Sequence, residues 1–320
     1  MEIRYFAHSW LSDWNHGNAH FLRGLASALA GRGHGVRCYE DIGAGGGGWS
    51  LAHLLTEPHG ARALTQMRKA FPELDIRLYG PPAHVAVLQD LPRVTDWAAE
   101  LNGAEVVIAH EWSEPKLFSW LREQRRRHGF RLLLHDTHHR ACSQTAALAQ
   151  LEPATCDAVI AFGESLRRIY ERELGVRKAY TLHEAADTAH FCPSLGGAVQ
   201  HEVVWIGNWG DEERTRELDE FLLQPAASLG RACGARTHVH GVRYPQPARA
   251  RLQAAGIAHG GYLPNLMVPG CYAASRITVH IPRLYYADAL AGIPTIRVFE
   301  ALACGMPLVC APWHDTEGLF

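Results

Sequence analysis

Residues 292–312 read GIPTIRVFEALACGMPLVCAP, and the punctuation of this stretch sets the fold class. Pro294 and Thr295 suit the start of a helix. Ile296, Phe299, Ala301, Leu302 and Ala303 can bury most of a short one. Gly305 can end it in a left-handed conformation, and Pro307 discourages continuation. Residues 308–311 form an apolar run of strand length. On this otherwise apolar helix Arg297 and Glu300 lie one turn apart and share a face. Spacing leaves two readings open. They form an intrahelical ion pair, or the helix N-terminus and Arg297 face an anion while Glu300 accepts hydrogen bonds from a sugar diol.

Upstream, strands and helices alternate, which calls for parallel sheets. Residues 3–7 read as a strand. The loop after it holds His8, Ser9, Trp10, Ser12, Asp13, Trp14, His16, Gly17 and Asn18, and Phe21, Leu22, Leu25, Ala28 and Leu29 follow at helical spacing. Ligands bind at the carboxyl ends of strands in such sheets, so this loop is a candidate contact. It lacks GxGxxG, and Gly17-Asn18 also suits a turn and helix cap. Residues 43–48 read as a glycine-rich loop, and Pro81-Pro82 forces a turn. Strands are expected at 36–39, 76–79, 106–109, 132–134 and 157–162, with a helix at 115–128.

The strand at 132–134 runs into HDTHH, and its neighbour ends at His110-Glu111. His135, Asp136, His138 and His139 are the densest group of possible metal ligands, a set that suits zinc or iron. Alternate strand-end residues diverge, however, and no partner elsewhere has ligand spacing, so no metal is expected.

PSLGGAVQH, residues 193–201, has linker composition and divides a first domain, 1–192, from a second, 202–320. The second opens with a strand at 203–206, the loop Gly207-Asn208-Trp209-Gly210 and a charged helix from 211. Arg214 can take a diphosphate through its guanidinium fork, or pair with Glu212, Glu213 or Glu217 on a solvated face. Strands at 237–239 and 277–281 follow, the latter leading to Pro282-Arg283.

The chain has 320 residues, 47% of them hydrophobic and 20% charged, enough for two soluble domains. A net charge of -2 gives no bulk basic field for nucleic acid or an anionic membrane. No signal peptide or run of about 18 apolar residues is visible. Eight scattered cysteines without a CxxC pair point to reduced thiols and a cytoplasmic protein.

FEALACGMPLV resembles the signature helix of GT-B glycosyltransferases. GIPTIRVFEALACG, together with IGNWGDEER, more narrowly resembles the CgeB-like glycosyltransferases, a bacterial group. HGNAHFLRGLASALAGRGHGVRCYE resembles the opening of many GT-B enzymes. VVIAHEW and FRLLLHD resemble the paired histidine-bearing strands of family four, and Asp187, Phe191 and Pro193 match the exit from the first domain.

The resemblance implies an α/β protein of two Rossmann-like domains, their parallel sheets facing a cleft. It implies hexosyltransferase-type transfer from a nucleoside-diphosphate sugar to an acceptor, with neither metal nor cofactor. Glu300 would hold the ribose. Thr295, Ile296, Arg297, Arg214, Arg283 and the Gly207-Asn208 loop would hold the rest of the donor. His135, with Asp136 beside it, would lie next to the transferred sugar, and Asp13, His16, Gly17, Asn18 and His110 would face the acceptor.

One departure concerns a second glutamate that retaining family-four enzymes usually carry eight positions before the first. Here that position is Gly292, so the donor-sugar contact does not transfer. The family also continues with further helices beyond this point, so a C-terminal truncation is expected. An epimerase or phosphorylase of the same fold, or a catalytically silent nucleotide-binding protein, are the alternatives.

Overall fold

The structure is a computed structural model that describes residues 1–14, 16–43, 49–80, 88–194, 198–210, 213–290, 292–311 and 314–320. Pro81-Pro82, Glu212, most of the 43–48 loop and part of the 193–201 stretch lie outside the described residues. The chain forms two compact units, one of residues 1–13 and 22–183, the other of residues 14–21 and 184–320.

The first unit carries seven parallel strands: β1 (Glu2–Phe6), β2 (Gly35–Asp41), β3 (Asp75–Tyr79), β4 (Val106–His110), β5 (Arg131–Asp136), β6 (Ala158–Ala161) and β7 (Ala179–Thr181). Their order is β3-β2-β1-β4-β5-β6-β7. Tyr5, Phe6, Val107, Leu132, Leu134 and Val159 are buried along the central strands, as helix-covered parallel strands require. The helix Pro115–His128 has proline at its first position and ends at Gly129, whose φ of 78° is the left-handed cap.

The second unit has five parallel strands: β8 (His201–Ile206), β9 (Thr237–His240), β10 (Ala258–Gly261), β11 (Ser275–His280) and β12 (Leu308–Cys310), in the order β10-β9-β8-β11-β12. In each sheet the order reverses beside the first strand, between β1 and β4 and between β8 and β11. Such switch points open a crevice at the carboxyl ends of the strands. Strand β10, sequence AHGG, carries no β-branched or aromatic residue, and the sequence pattern did not reveal it.

The charged helix begins at Thr215, later than the expected start at 211, and runs helically to Cys233. A π-turn at Asp219–Leu223 interrupts it just ahead of Pro225, which has no amide to donate. The helix Ile296–Ala303 starts and stops where the punctuation of the sequence placed it. Its buried face differs from expectation. Val298 is buried, whereas Leu302 is 47% exposed and Phe299 lies only partly covered, against Phe320.

The division between units also differs from the expected linker. Residues 184–192 cluster with the second unit, and so do Trp14–Phe21, the start of the helix Gly17–Gly31. The reason is local packing. A Cβ on Gly17 would stand 1.9 Å from Ile296 Cγ2, so the bare glycine backbone lies directly on the Ile296 side chain. Trp14 accepts a hydrogen bond at its carbonyl from Asn208 Nδ2 at 3.3 Å and stacks its ring under Arg243.

Candidate functional site

In the first unit the loop after β1 is held from within. Glu40 accepts hydrogen bonds from the Trp10 amide (2.7 Å), the Leu11 amide (2.5 Å) and the Ser12 hydroxyl (2.7 Å). Arg23 donates to the carbonyls of Trp10 and Ser12. Burial lifts the Glu40 carboxyl to about 6 against these bonds. Asp13, expected to face the acceptor, is fully buried at the end of this loop.

The ends of β1, β4 and β5 gather a closed polar cluster. His110, Glu111, His135, Asp136, Thr137 and His139 are all nearly or fully buried. The Tyr5 hydroxyl bonds His135 Nδ1, and His110 Nε2 meets Thr137 Oγ1 at 2.9 Å. The rings of His8 and His110 lie 5.0 Å apart. Burial drives the His110 and His135 imidazoles down to about 3, Arg140 adding to the first and His110 to the second, so both rings are neutral. Burial also raises the Asp136 carboxyl well above its usual range, and Glu111 adds to this. Tyr170 (2.6 Å) and the His138 amide (2.8 Å) hydrogen-bond it and pull the other way. Its environment is that of a satisfied core acid.

Glu111 was not singled out by the sequence, yet it lies inside this cluster. It is 0% exposed, and neither carboxylate oxygen has an aligned hydrogen-bond donor, although Oε2 is 2.9 Å from His110 Nδ1. Arg140 donates to the Glu111 backbone carbonyl and places its guanidinium over Trp112. Burial pushes the Glu111 carboxyl up to about 8, although Arg140 and the nearby Glu111 and Thr137 amides pull it down.

In the second unit the switch point is framed by Gly207, Asn208, Arg214, His280 and Thr295. Gly241 approaches so closely that a Cβ there would lie 2.2 Å from the Gly207 carbonyl, which also accepts from Tyr244 Oη at 2.7 Å. Asn208 is anchored through Oδ1 to the Val242 amide at 3.0 Å. Arg214 Nη1 donates to the Asn208 carbonyl at 3.2 Å. Burial and the charge of Arg283 bring its guanidinium down to about 9. Of the glutamates considered as partners for Arg214, Glu213 instead pairs with Arg283.

Thr295 stands at the N-cap, but its hydroxyl does not cap the helix. It meets His280 Nε2 at 3.1 Å, and His280 is held neutral, near 3, by burial and by Arg214. The Ile296 amide donates to Glu184 Oε2 at 2.8 Å, a contact no sequence spacing suggests.

On the same helix Glu300 is 0% exposed. Arg297 Nη1 donates to its Oε2 at 2.5 Å, so the intrahelical ion pair is present. His20 Nδ1 lies 2.9 Å from Oε1. The His20 ring stacks on Phe191 at 3.9 Å, and its Nε2 accepts from the Asp187 amide at 3.0 Å. Burial raises the Glu300 carboxyl, and Arg297 and His20 more than reverse it, leaving it below the ordinary range.

Gly292 has φ of +80°, and a Cβ there would stand 1.9 Å from the His314 carbonyl oxygen. That backbone strains any side chain placed at this position. His16, Gly17 and Asn18 belong with the second unit, whereas Asp13 and His110 belong with the first. Among the described residues, no group of three or more His, Cys, Asp or Glu side chains is arranged to hold a metal ion. No helix among them is long and apolar enough to cross a membrane.

The family described as glycosyl transferase-like matches residues 214–320. No curated protein matches the chain by sequence. Among solved structures, an alpha-glucosyltransferase in complex with UDP-glucose and DNA containing an abasic site is similar at 14% identity and a TM-score of 0.59, covering 98% of this chain and 80% of that one. WaaG, a glycosyltransferase involved in lipopolysaccharide biosynthesis, is similar at 13% identity and a TM-score of 0.55, covering 98% and 82%. S. aureus TarM aligns at 14% identity with a TM-score of 0.47, over 64% of this chain, which spans only 41% of TarM. The chain has the GT-B glycosyltransferase fold, and its second unit carries the glycosyl transferase-like match.

Proposed function

From a GT-B glycosyltransferase fold with a glycosyl transferase-like second unit, we propose that this chain moves a sugar from a nucleoside-diphosphate sugar to an acceptor hydroxyl, without a metal or other cofactor. The observation that carries the reading is the Glu300–Arg297 pair on the helix Ile296–Ala303, inside the family match and beside the switch point of the second sheet. A carboxylate paired this way stays ionised and offers strong acceptor oxygens to a ribose diol once His20 gives way.

In this reading the leaving diphosphate is stabilised by fixed donors: Arg214, Arg283, the Gly207-Asn208 loop and the amides at the start of the helix. Preorganised donors act on charge as it develops, which is the work a divalent cation does elsewhere. His135, neutral and buried in the first unit, is proposed to contact the transferred sugar. UDP and UDP-glucose in the similar glucosyltransferase structures support trying uridine donors first.

A panel of labelled nucleoside-diphosphate sugars, assayed for transfer and for hydrolysis with and without chelator, tests the proposal. Transfer from at least one donor, unaffected by chelator, is the expected result. Release of an altered free sugar nucleotide would favour an epimerase. Binding without turnover would favour a silent nucleotide-binding protein, the reading that the missing acid at Gly292 supports.

A further inference from the structure

The start of the helix Ile296–Ala303 already meets a carboxyl group, and the chain supplies it. The Ile296 amide donates to Glu184 Oε2 at 2.8 Å, across 112 residues of sequence. Glu184 is 3% exposed. A buried carboxylate is costly unless compensated, and the N-terminus of a helix is one of the few backbone features that compensate it.

Two further observations mark this sheet end as built for more than Glu184. His280 is 6% exposed and bonds Thr295 through Nε2, yet its Nδ1 has no hydrogen-bond partner among the described residues. Arg214 also keeps a buried Nε without one. The segment carrying Glu184 is tied to the other end of the pair as well. Asp187 bonds His20, Phe191 stacks on its ring, and His20 in turn meets Glu300. Residues 184–191 thus reach the helix at its first amide and, through His20, at Glu300.

We infer that Glu184 is an internal anion of the donor site, which holds the Ile296 amide in the unliganded protein and yields it to a phosphate group of the donor. The inference rests on the reading of this helix as part of a donor site. One anion replaces another, so Glu184 sets the affinity for phosphate-bearing ligands and leaves nucleoside affinity alone. No bond is made or broken in the exchange.

Calorimetry on the whole chain tests this with three probes: inorganic pyrophosphate, UDP and uridine. Glu184→Ala vacates the amide. Glu184→Gln removes the charge but keeps an acceptor oxygen for Ile296, so it preserves the local fold, and unfolding midpoints are recorded for both. Pyrophosphate and UDP should bind both variants about tenfold tighter than the parent, the factor expected for one charge-assisted hydrogen bond, with uridine unchanged. Equal UDP affinity in parent and folded variants overturns the inference and leaves the donor site standing. Weaker UDP binding by the folded variants also overturns it, making Glu184 a contact to the ligand. If parent and variants alike bind neither pyrophosphate nor any nucleoside diphosphate, the donor-site reading falls, and the inference with it.

Discussion

His20 Nδ1 lies 2.9 Å from Glu300 Oε1, with both side chains closed to solvent and 280 residues of sequence between them. The contact changes what Glu300 is. Spacing placed it on a helix face with Arg297, whereas in the structure it is a buried acid with one partner on each oxygen. Breaking such an arrangement by removing one member is costly, because the remaining charge stays buried.

Glu300→Ala is therefore expected to cost about 3–5 kcal/mol of stability, in addition to any loss of nucleotide binding. The carboxyl titrates below its usual range in the folded chain, so its contribution is full above the unfolded pKa and is lost as pH falls through the folded one. Urea unfolding at neutral pH and in the acid range, parent against variant, measures this. A stability gap that does not narrow as pH falls below the ordinary glutamate range would contradict the pairing.

Glu111 has the opposite sign. Its folded pKa is raised from 4.5 to about 8, so between those values the folded chain keeps a proton that the unfolded chain has lost. Stability should fall as pH rises from about 5 to 8, by an amount on the order of a few kcal/mol. Glu111→Gln stays neutral throughout and should flatten this decline, becoming the more stable protein at pH 8. Denaturation curves at pH 5 and pH 8 decide it, and an equally steep decline in the variant would refute it.

Gly17→Ala is expected to destabilise by about 1–3 kcal/mol, because the added methyl enters the space of Ile296 Cγ2. In a helix that replacement ordinarily stabilises by up to about 1 kcal/mol, so even the sign of the change in melting temperature is informative.

Gly292→Glu tests whether the missing acid can be restored. The left-handed backbone and the adjacent His314 carbonyl predict a loss of about 1–3 kcal/mol and no gain in donor affinity. A variant as stable as the parent that binds a nucleotide sugar more tightly would show that the position accepts a carboxylate after all.

Arg297→Ala should weaken nucleoside-diphosphate binding more than nucleoside binding, as loss of an anion contact does. It also strips Glu300 of its guanidinium, so stability must be measured beside affinity. Arg297→Lys restores the charge without the fork and should recover stability better than diphosphate affinity.

The sequence by itself determined the alternation of strands and helices, both parallel sheets, the helix Pro115–His128 and the helix Ile296–Ala303. Each of these follows from local periodicity and from proline and glycine at the ends. It also marked Arg297 with Glu300, and His135, because a polar side chain in an apolar setting is visible without coordinates, and Arg214 because it follows a strand-end glycine loop. It did not reveal β10, where no side chain has strand preference, nor the membership of Trp14–Phe21 in the second unit. Glu184, His20, His280 and Glu111 became notable only in three dimensions. Their neighbours come from distant chain segments, and burial, which sets their charge states, is a property of the packed fold rather than of spacing along the chain.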